Sequence, residues 1–296
     1  MNSPTILITG ATDGIGRLAA LELARRGAKL ILTARDTTKA ERTRIDIERA
    51  APGTPVSTYQ VDLTDLAAVA ATGRRIASEH RRIDVLINNA GLHAFTQRIT
   101  RDGFGEMMAV NYFAPWLLTD VLRDTLVKSS PSRIITVASQ ASRQSRGLNI
   151  EQDLRDTEPF TARGSSRIYG LTKLLDIMFS FELARQLKGS AVAVNCLCPG
   201  FNVTGLGREL GFAGGLSRLL NAFNIGNPER GAGIIVRLAT DPAFGRQTAT
   251  YVSVKQARPL TPIEPATDEA ARRELWSATA RLLEPYRQDC NPPGSA

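Results

Sequence analysis

What this chain has little of narrows it first. Its three cysteines, Cys196, Cys198 and Cys290, are too few and too badly placed for a disulfide framework or a zinc site, so a reducing cytoplasm is the expected setting. No run of about 18 apolar residues occurs, so no membrane span is expected. Met1-Asn2-Ser3-Pro4 leads straight into an apolar strand, so no secretory leader is expected. The formal charge of +8 comes from dispersed basic residues such as Arg25, Arg26, Arg42, Arg44, Arg81 and Arg82, mixed with acids. A dense basic run with interleaved aromatics is missing, and nucleic-acid binding is not expected. There is no internal repeat, no inter-domain linker and no cluster of metal ligands.

What is there is an ordinary globular composition, 43% hydrophobic and 22% charged over 296 residues, enough for one large α/β domain. The organising stretch is Thr9-Gly10-Ala11-Thr12-Asp13-Gly14-Ile15-Gly16, directly behind the apolar run Thr5-Ile6-Leu7-Ile8. A strand that ends in a glycine-rich turn and feeds a helix suits a pyrophosphate. Backbone can approach without a Cβ in the way, and the helix offers free N–H groups and its positive dipole end. The spacing is Gly-x-x-x-Gly-x-Gly, unlike the general Gly-x-Gly-x-x-Gly fingerprint.

Periodicity then predicts a helix over 14–26, capped by Gly27, and a second strand over 29–33, completing a βαβ unit. Strand two ends Thr33-Ala34-Arg35-Asp36. Ala34 stands where an acid would bind a ribose hydroxyl, and the Arg35 guanidinium can pair with a 2′-phosphate. This favours NADP(H) over NAD(H). Against it, Arg35 could merely open the next helix with Asp36 on the ribose, and Asp13 adds an acid inside the glycine turn. Strand three spans 56–60 and is followed by Val61-Asp62-Leu63. Asp62 is placed either to reach an adenine amino group or to cap the helix beginning near Asp65.

Strand four covers 84–87 and runs into Asn88-Asn89-Ala90-Gly91, small and amide residues suited to lie beside a cofactor. His93 just beyond reads as polar decoration. A long helical pattern over 103–128 contains Asn111, a poor helix former, and Pro115, which cannot donate to the Asn111 carbonyl; a local break in the ladder is expected there. Strand five spans 133–138 and ends on Ser139. Residues 140–164 show no period. A helix over 165–187 carries Tyr169 and Lys173 on one face. Strand six spans 191–197, with Cys196 and Cys198 as small apolar strand residues, and passes into Pro199-Gly200. The apolar, glycine-punctuated segment 205–226 reads as a surface helix or as a substrate lid, placed at about 201–227. A helix over 228–239, a strand over 251–254 and a helix over 268–283 follow, with a frayed tail at 289–296.

Together these residues resemble the short-chain dehydrogenase/reductase family over nearly the whole chain. Tyr-x-x-x-Lys alone is nearly worthless, but six motifs in order at successive strand ends are specific. Within the family the chain looks most like the retinol dehydrogenase and WW-domain oxidoreductase-like branch, also close to protochlorophyllide reductases. Ala34-Arg35-Asp36, the 29 residues between Ser139 and Tyr169 and the late Leu275-Trp276 carry that likeness. Unlike in vertebrate members, no N-terminal membrane anchor is expected, and the insertion is longer than in the shorter members, which leaves the substrate open.

The resemblance implies a single doubly wound Rossmann domain over 1–288, with a seven-stranded, mostly parallel sheet flanked by helices. It implies Gly10, Thr12, Asp13, Gly14, Ile15, Gly16, Arg35, Asp62, Leu63, Asn89, Ala90, Gly91, Pro199, Gly200 and Thr204 around the cofactor. Tyr169 would be the general acid/base. Lys173 would lower its pKa and hold the nicotinamide ribose, Ser139 would polarise the carbonyl, and Asn111 would keep a relay water. The implied reaction interconverts a lipophilic carbonyl and its alcohol. C=C reduction, epimerisation and non-catalytic NADP(H) sensing stay open as alternatives. A homodimer through 103–128 and 165–187 is a further implication.

Overall fold

The computed structural model of the protein describes residues 3–145, 147–200 and 227–287. The expected lid and C-terminal tail lie outside the described residues. Seven strands form one sheet: β1 (Thr5–Thr9), β2 (Lys29–Ala34), β3 (Val56–Gln60), β4 (Val85–Asn88), β5 (Ser132–Val137), β6 (Val192–Cys198) and β7 (Thr250–Ser253). Their order is β3-β2-β1-β4-β5-β6-β7, and every neighbouring pair is parallel. Parallel pairing requires a crossover after each strand, and the helices supply it.

Strand side chains alternate between two apolar layers. Leu7, Ile31, Leu86 and Ile134 face one side. That side carries α3 (Leu66–Glu79), α5 (Ala114–Val121), α8 (Ala162–Gln186) and α10 (Glu269–Arg287). Ile6, Ile8, Leu30, Leu32 and Ile87 face the other, under α1 (Gly14–Arg25), α2 (Thr37–Ala50) and α9 (Pro228–Thr240). Burial on both faces explains why these strands read as continuous apolar runs.

The long helical pattern begins at α4 (Glu106–Met108) and passes at once into a π-helical turn, Ala109–Phe113. It resumes as α5 and breaks again at Leu122 before α6 (Arg123–Lys128). Asn111 lies inside the π turn and Pro115 near the start of α5, so the irregularity falls where the sequence placed it. The aperiodic 140–164 region holds a 3₁₀ turn, Gln140–Gln144, and one short helix, α7 (Ile150–Asp153). Helix α8 starts at Ala162, three residues earlier than periodicity suggested, because Thr161 caps it.

The last helix lies across α5 and α8. Trp276 packs on Trp116 with 5.0 Å between ring centroids and stacks on Phe179 at 5.9 Å. Tyr112 and Thr279 share a buried hydroxyl bond of 2.8 Å beneath it. One face of α5 and of α8, the helices through which a homodimer is expected, is thus covered by the chain's own last helix. Among the described residues, no helix is long and apolar enough to cross a membrane.

Candidate active site

Strand order reverses between β1 and β4, and there the carboxyl ends part to leave a cleft of about 480 Å³. Its floor is stitched by Thr9. The Thr9 hydroxyl accepts the backbone N–H groups of Asn89 and Ala90, both at 3.0 Å. The Asn89 amide donates to the carbonyls of Thr9 and Gly10 at 2.8 and 3.2 Å. Two glycines permit this closeness. Gly10 has φ of +66°, and a Cβ on Gly16 would sit 2.3 Å from Asn89 Nδ2. Thr12, Asp13, Gly14 and Ile15 complete this wall.

Asp13 caps α1, its carboxylate accepting from Gly14 N–H at 2.7 Å. Asp36 caps α2 by accepting from Lys39 N–H at 3.0 Å. Neighbouring Arg35 is exposed and lines the cleft. From α2, the Lys39 ammonium approaches the Asp13 carboxylate at 4.0 Å, placing a second cation at this end. Of the two readings of Asp62, helix capping fails. Asp65 caps α3, while Asp62 accepts from the Thr64 N–H and hydroxyl and lines the cleft with Leu63.

At the other end stand Asn111, Ser139, Tyr169 and Lys173. Asn111 is pinned in the π turn: its carbonyl accepts Leu92 N–H at 2.8 Å, and its amide donates to Leu92 O and the Thr172 hydroxyl. Gly91 backbone runs between Asn111 and Lys173, where a Cβ would meet Asn111 Oδ1 at 3.4 Å and Lys173 Nζ at 3.6 Å. Ser139 lies two residues past the end of β5 and caps the 3₁₀ turn by accepting Ala141 N–H at 3.1 Å. That turn presses on α8 so tightly that a Cβ on Gly170 would come within 2.5 Å of Ala141 O. Gly170 therefore lets Ser139 and Tyr169 share one corner. Pro199 and Gly200 line the far edge. Thr204 lies outside the described residues.

Burial pushes the Tyr169 phenol above its usual range; Asp176 and Cys198 add to this, while Lys173 and Ser139 pull it down. Lys173 is buried. It donates to Val137 O at 3.0 Å and to Asp176 Oδ2 at 2.9 Å. Burial works against its ammonium, but Asp176 and Tyr169 outweigh it and raise its pKa. A cation, a phenol and a hydroxyl converging on one cleft wall can exchange a proton with a bound oxygen.

Sequence reasoning passed over several participants. His93, read as decoration, stacks on Tyr169. The Arg98–Glu106 ion pair also borders the cleft. Lys39 and Asp176 were not singled out. Asp176 did leave a signal, an acid interrupting the apolar run Leu174-Leu175-Asp176-Ile177-Met178.

Residues 4–150 match the short chain dehydrogenase family. The chain is 34% identical to human retinol dehydrogenase 13 over 291 residues, covering 94% of this chain and 84% of that protein. It is 33% identical to a protein of Streptomyces sp. (strain C5), provisionally named daunorubicin C-13 ketoreductase, covering 94% of this chain and 92% of the relative. An Escherichia coli CFT073 crystal structure complexed with NADPH superposes with a TM-score of 0.64 at 25% identity, over 86% of this chain and 98% of that one.

Proposed function

The chain belongs to the short-chain dehydrogenase/reductase family, in its retinol dehydrogenase-like branch, and from that premise we propose that it interconverts a lipophilic carbonyl compound and its alcohol with NADP(H). It is an oxidoreductase of a family that uses a nicotinamide cofactor. The observation that carries the finer reading is the convergence of Ser139, Tyr169 and Lys173 on the cleft whose other end holds Arg35. The names of the relatives, a retinol dehydrogenase and a provisional ketoreductase, support a lipophilic carbonyl.

The residues fit a dinucleotide. Glycine at 10 and 16 lets the turn close against Asn89 and Ala90, where a Cβ would collide, and α1 presents its N-terminus at the cleft. Thr12, Asp13, Gly14, Ile15 and Gly16 would hold the pyrophosphate, Asp62 and Leu63 the adenine, and Asn89, Ala90 and Gly91 the adjoining ribose. Pro199, Gly200 and Thr204 would lie along the nicotinamide. Arg35 supports NADP(H) because Asp36, the rival ribose ligand, is engaged in capping α2. The NADPH bound to the E. coli relative lends support as well.

When bound, the nicotinamide supplies the hydride for reduction and accepts it for oxidation. Ser139 holds the substrate oxygen with its hydroxyl. Tyr169 donates its phenolic proton to that oxygen in reduction and recovers a proton from solvent. Lys173 stabilises the phenolate left behind. Asn111, by fixing Leu92 on both its N–H and C=O, keeps the path beside Lys173 in register. The test is NADPH against NADH consumption with a panel of lipophilic aldehydes and ketones, wild type beside Tyr169→Phe. Turnover with NADPH that is lost in the variant is expected. Turnover retained by Tyr169→Phe, or a preference for NADH, would overturn the corresponding assignment.

A further inference from the structure

Helix α8 buries two acids that the mechanism above does not use: Glu182, held by Arg185, and Asp176. Asp176 is 1% exposed and lies one helical turn beyond Lys173. Its Oδ2 takes one of the three N–H bonds of the Lys173 ammonium, and Val137 O takes another. One N–H is left for the cleft that Lys173 lines. Asp176 Oδ1 has no hydrogen-bond partner among the described residues. A half-satisfied buried carboxylate is costly, and removing it alone would leave the Lys173 ammonium buried without its counter-charge.

The titratable groups around it leave Lys173 as its counter-charge. Tyr169 and Lys173 lie on the same helix, Tyr112 faces it from the π turn, and Cys196 faces it from β6. Tyr112 is a neutral phenol bonded to Thr279, and Cys196 a buried neutral thiol. The ammonium that acidifies Tyr169 is therefore the one whose charge Asp176 offsets. The two effects oppose each other at the phenol: Lys173 favours phenolate and Asp176 favours phenol.

Resting on the carbonyl-redox reading of the site, we propose that Asp176 is a positioning residue that, by pairing with Lys173, weakens the pull of that ammonium on the Tyr169 hydroxyl and keeps Tyr169 loaded as a proton donor over a wider pH range. In the reductive step the substrate C=O gains a hydride at carbon from NADPH and the Tyr169 proton at oxygen. NADP⁺ and the Tyr169 phenolate remain, and solvent reprotonates the phenolate. Asp176 shifts when that phenolate forms and leaves the overall equilibrium unchanged. Oxidation, which needs phenolate at the start, is displaced to higher pH.

The test compares wild type with Asp176→Asn and Asp176→Ser, reading Tyr169 ionisation by ultraviolet difference titration against Tyr169→Phe. Both variants should lower the Tyr169 midpoint by about one pH unit. The alkaline rise of the oxidation rate, which follows the phenolate, should then move about one pH unit lower, with the equilibrium ratio of alcohol to carbonyl unchanged. An unchanged midpoint in folded, NADPH-binding variants overturns the proposal. If neither variant folds, carbon NMR of wild type with labelled tyrosine decides it: the Tyr169 signal must show a step where Asp176 titrates, and its absence overturns the proposal. The titration needs no turnover. A shifted midpoint with no carbonyl turned over would remove the carbonyl-redox reading and leave the coupling of Asp176 to Tyr169 standing.

Discussion

The imidazole of His93 lies on the ring of Tyr169, with centroids 4.7 Å apart and planes 18° from parallel. Ser165 bonds the imidazole Nε2 at 3.2 Å, and Phe95 packs on it at 4.8 Å. The stack holds the Tyr169 ring by one face, fixing where its hydroxyl points. A stacked aromatic pair contributes roughly 0.5–1.5 kcal/mol beyond burial. His93→Ala is expected to lower kcat about three- to tenfold by loosening Tyr169, while NADPH affinity holds. His93→Phe, which keeps the stack, should retain most of kcat. Steady-state kinetics beside a fluorescence titration of NADPH separates the two, and equal kcat in all three proteins would show the stack to be idle.

Arg35 lines this end of the cleft, and Lys39 stands behind it, 4.0 Å from the Asp13 carboxylate. Charge-assisted bonds to a phosphate are about twice as strong as neutral ones. Arg35→Ala should raise the Kd for NADPH by roughly 10- to 100-fold, about 1.5–3 kcal/mol, and leave NADH nearly unaffected. Lys39→Ala should act in the same direction more weakly, since Asp13 already offsets its charge. Calorimetric titration of both cofactors against both variants measures this. Equal losses for NADPH and NADH would place Arg35 away from the 2′-phosphate.

Gly170 sits between the catalytic-motif tyrosine and the 3₁₀ turn, with room for no side chain. In Gly170→Ala the new methyl meets the backbone carbonyl of Ala141, which cannot rotate away. The turn has to move, and Ser139 moves with it. A displacement of about 1 Å at such a position can cost on the order of a hundredfold in rate. The expected result is a large fall in kcat with the protein still folded, since Ala favours helix over Gly by about 1 kcal/mol. Wild-type kcat in this variant would mean that the Ser139 corner tolerates the shift.

Glu182 on α8 is nearly enclosed and accepts bonds from both arms of Arg185, at 2.6 and 2.9 Å, and from Gln186 at 3.0 Å. Burial disfavours its carboxylate, but these bonds outweigh burial and hold its pKa below the ordinary value. A lowered folded-state pKa contributes stability that is present above the unfolded value and lost as pH falls through the folded one. Glu182→Gln should therefore melt earlier than wild type at pH 7, and the gap should close as pH drops below about 4. Thermal melts from pH 3 to 8 give the comparison, and a constant gap would assign the loss to packing instead of charge.

Most of this architecture is written locally in the sequence. Thr5–Gly16 declares a strand, turn and helix start because each depends on residues within a dozen positions. The Asn111/Pro115 pair declared a broken helix for the same reason. What escaped depends on contacts made only after folding. His93 gains its place by stacking across from α8. Lys39 gains its place by reaching from α2 over the turn that ends β1. The choice for Asp62 turned on Asp65, three residues away, taking the cap. Residues 140–144 gave no period because a 3₁₀ turn of that length buries too little to print one. Asp176 was legible in principle, as an acid one turn from Lys173 in an apolar run.

Trp276 makes the strongest link between the last helix and the rest. It lies in contact with Trp116 of α5 and parallel to Phe179 of α8, 6° between planes, while Arg287 pairs with Asp120 at 2.8 Å. Beneath it Ala114–Thr119 and Gly170–Ser180 are buried all round. Without α10 those two helices would present a wide apolar face to water, the kind of surface that drives association. Leu275, 1% exposed, is a fully buried neighbour. Leu275→Ala should cost about 2–5 kcal/mol by leaving a cavity. Trp276→Ala should destabilise comparably and also uncover Trp116 and Phe179. Light scattering coupled to gel filtration is expected to find wild type monomeric at micromolar concentration and Trp276→Ala prone to self-association. A wild-type dimer protected from exchange along 114–119 and 170–180, and exposed along 269–287, would mean that α10 swings away to admit a second copy.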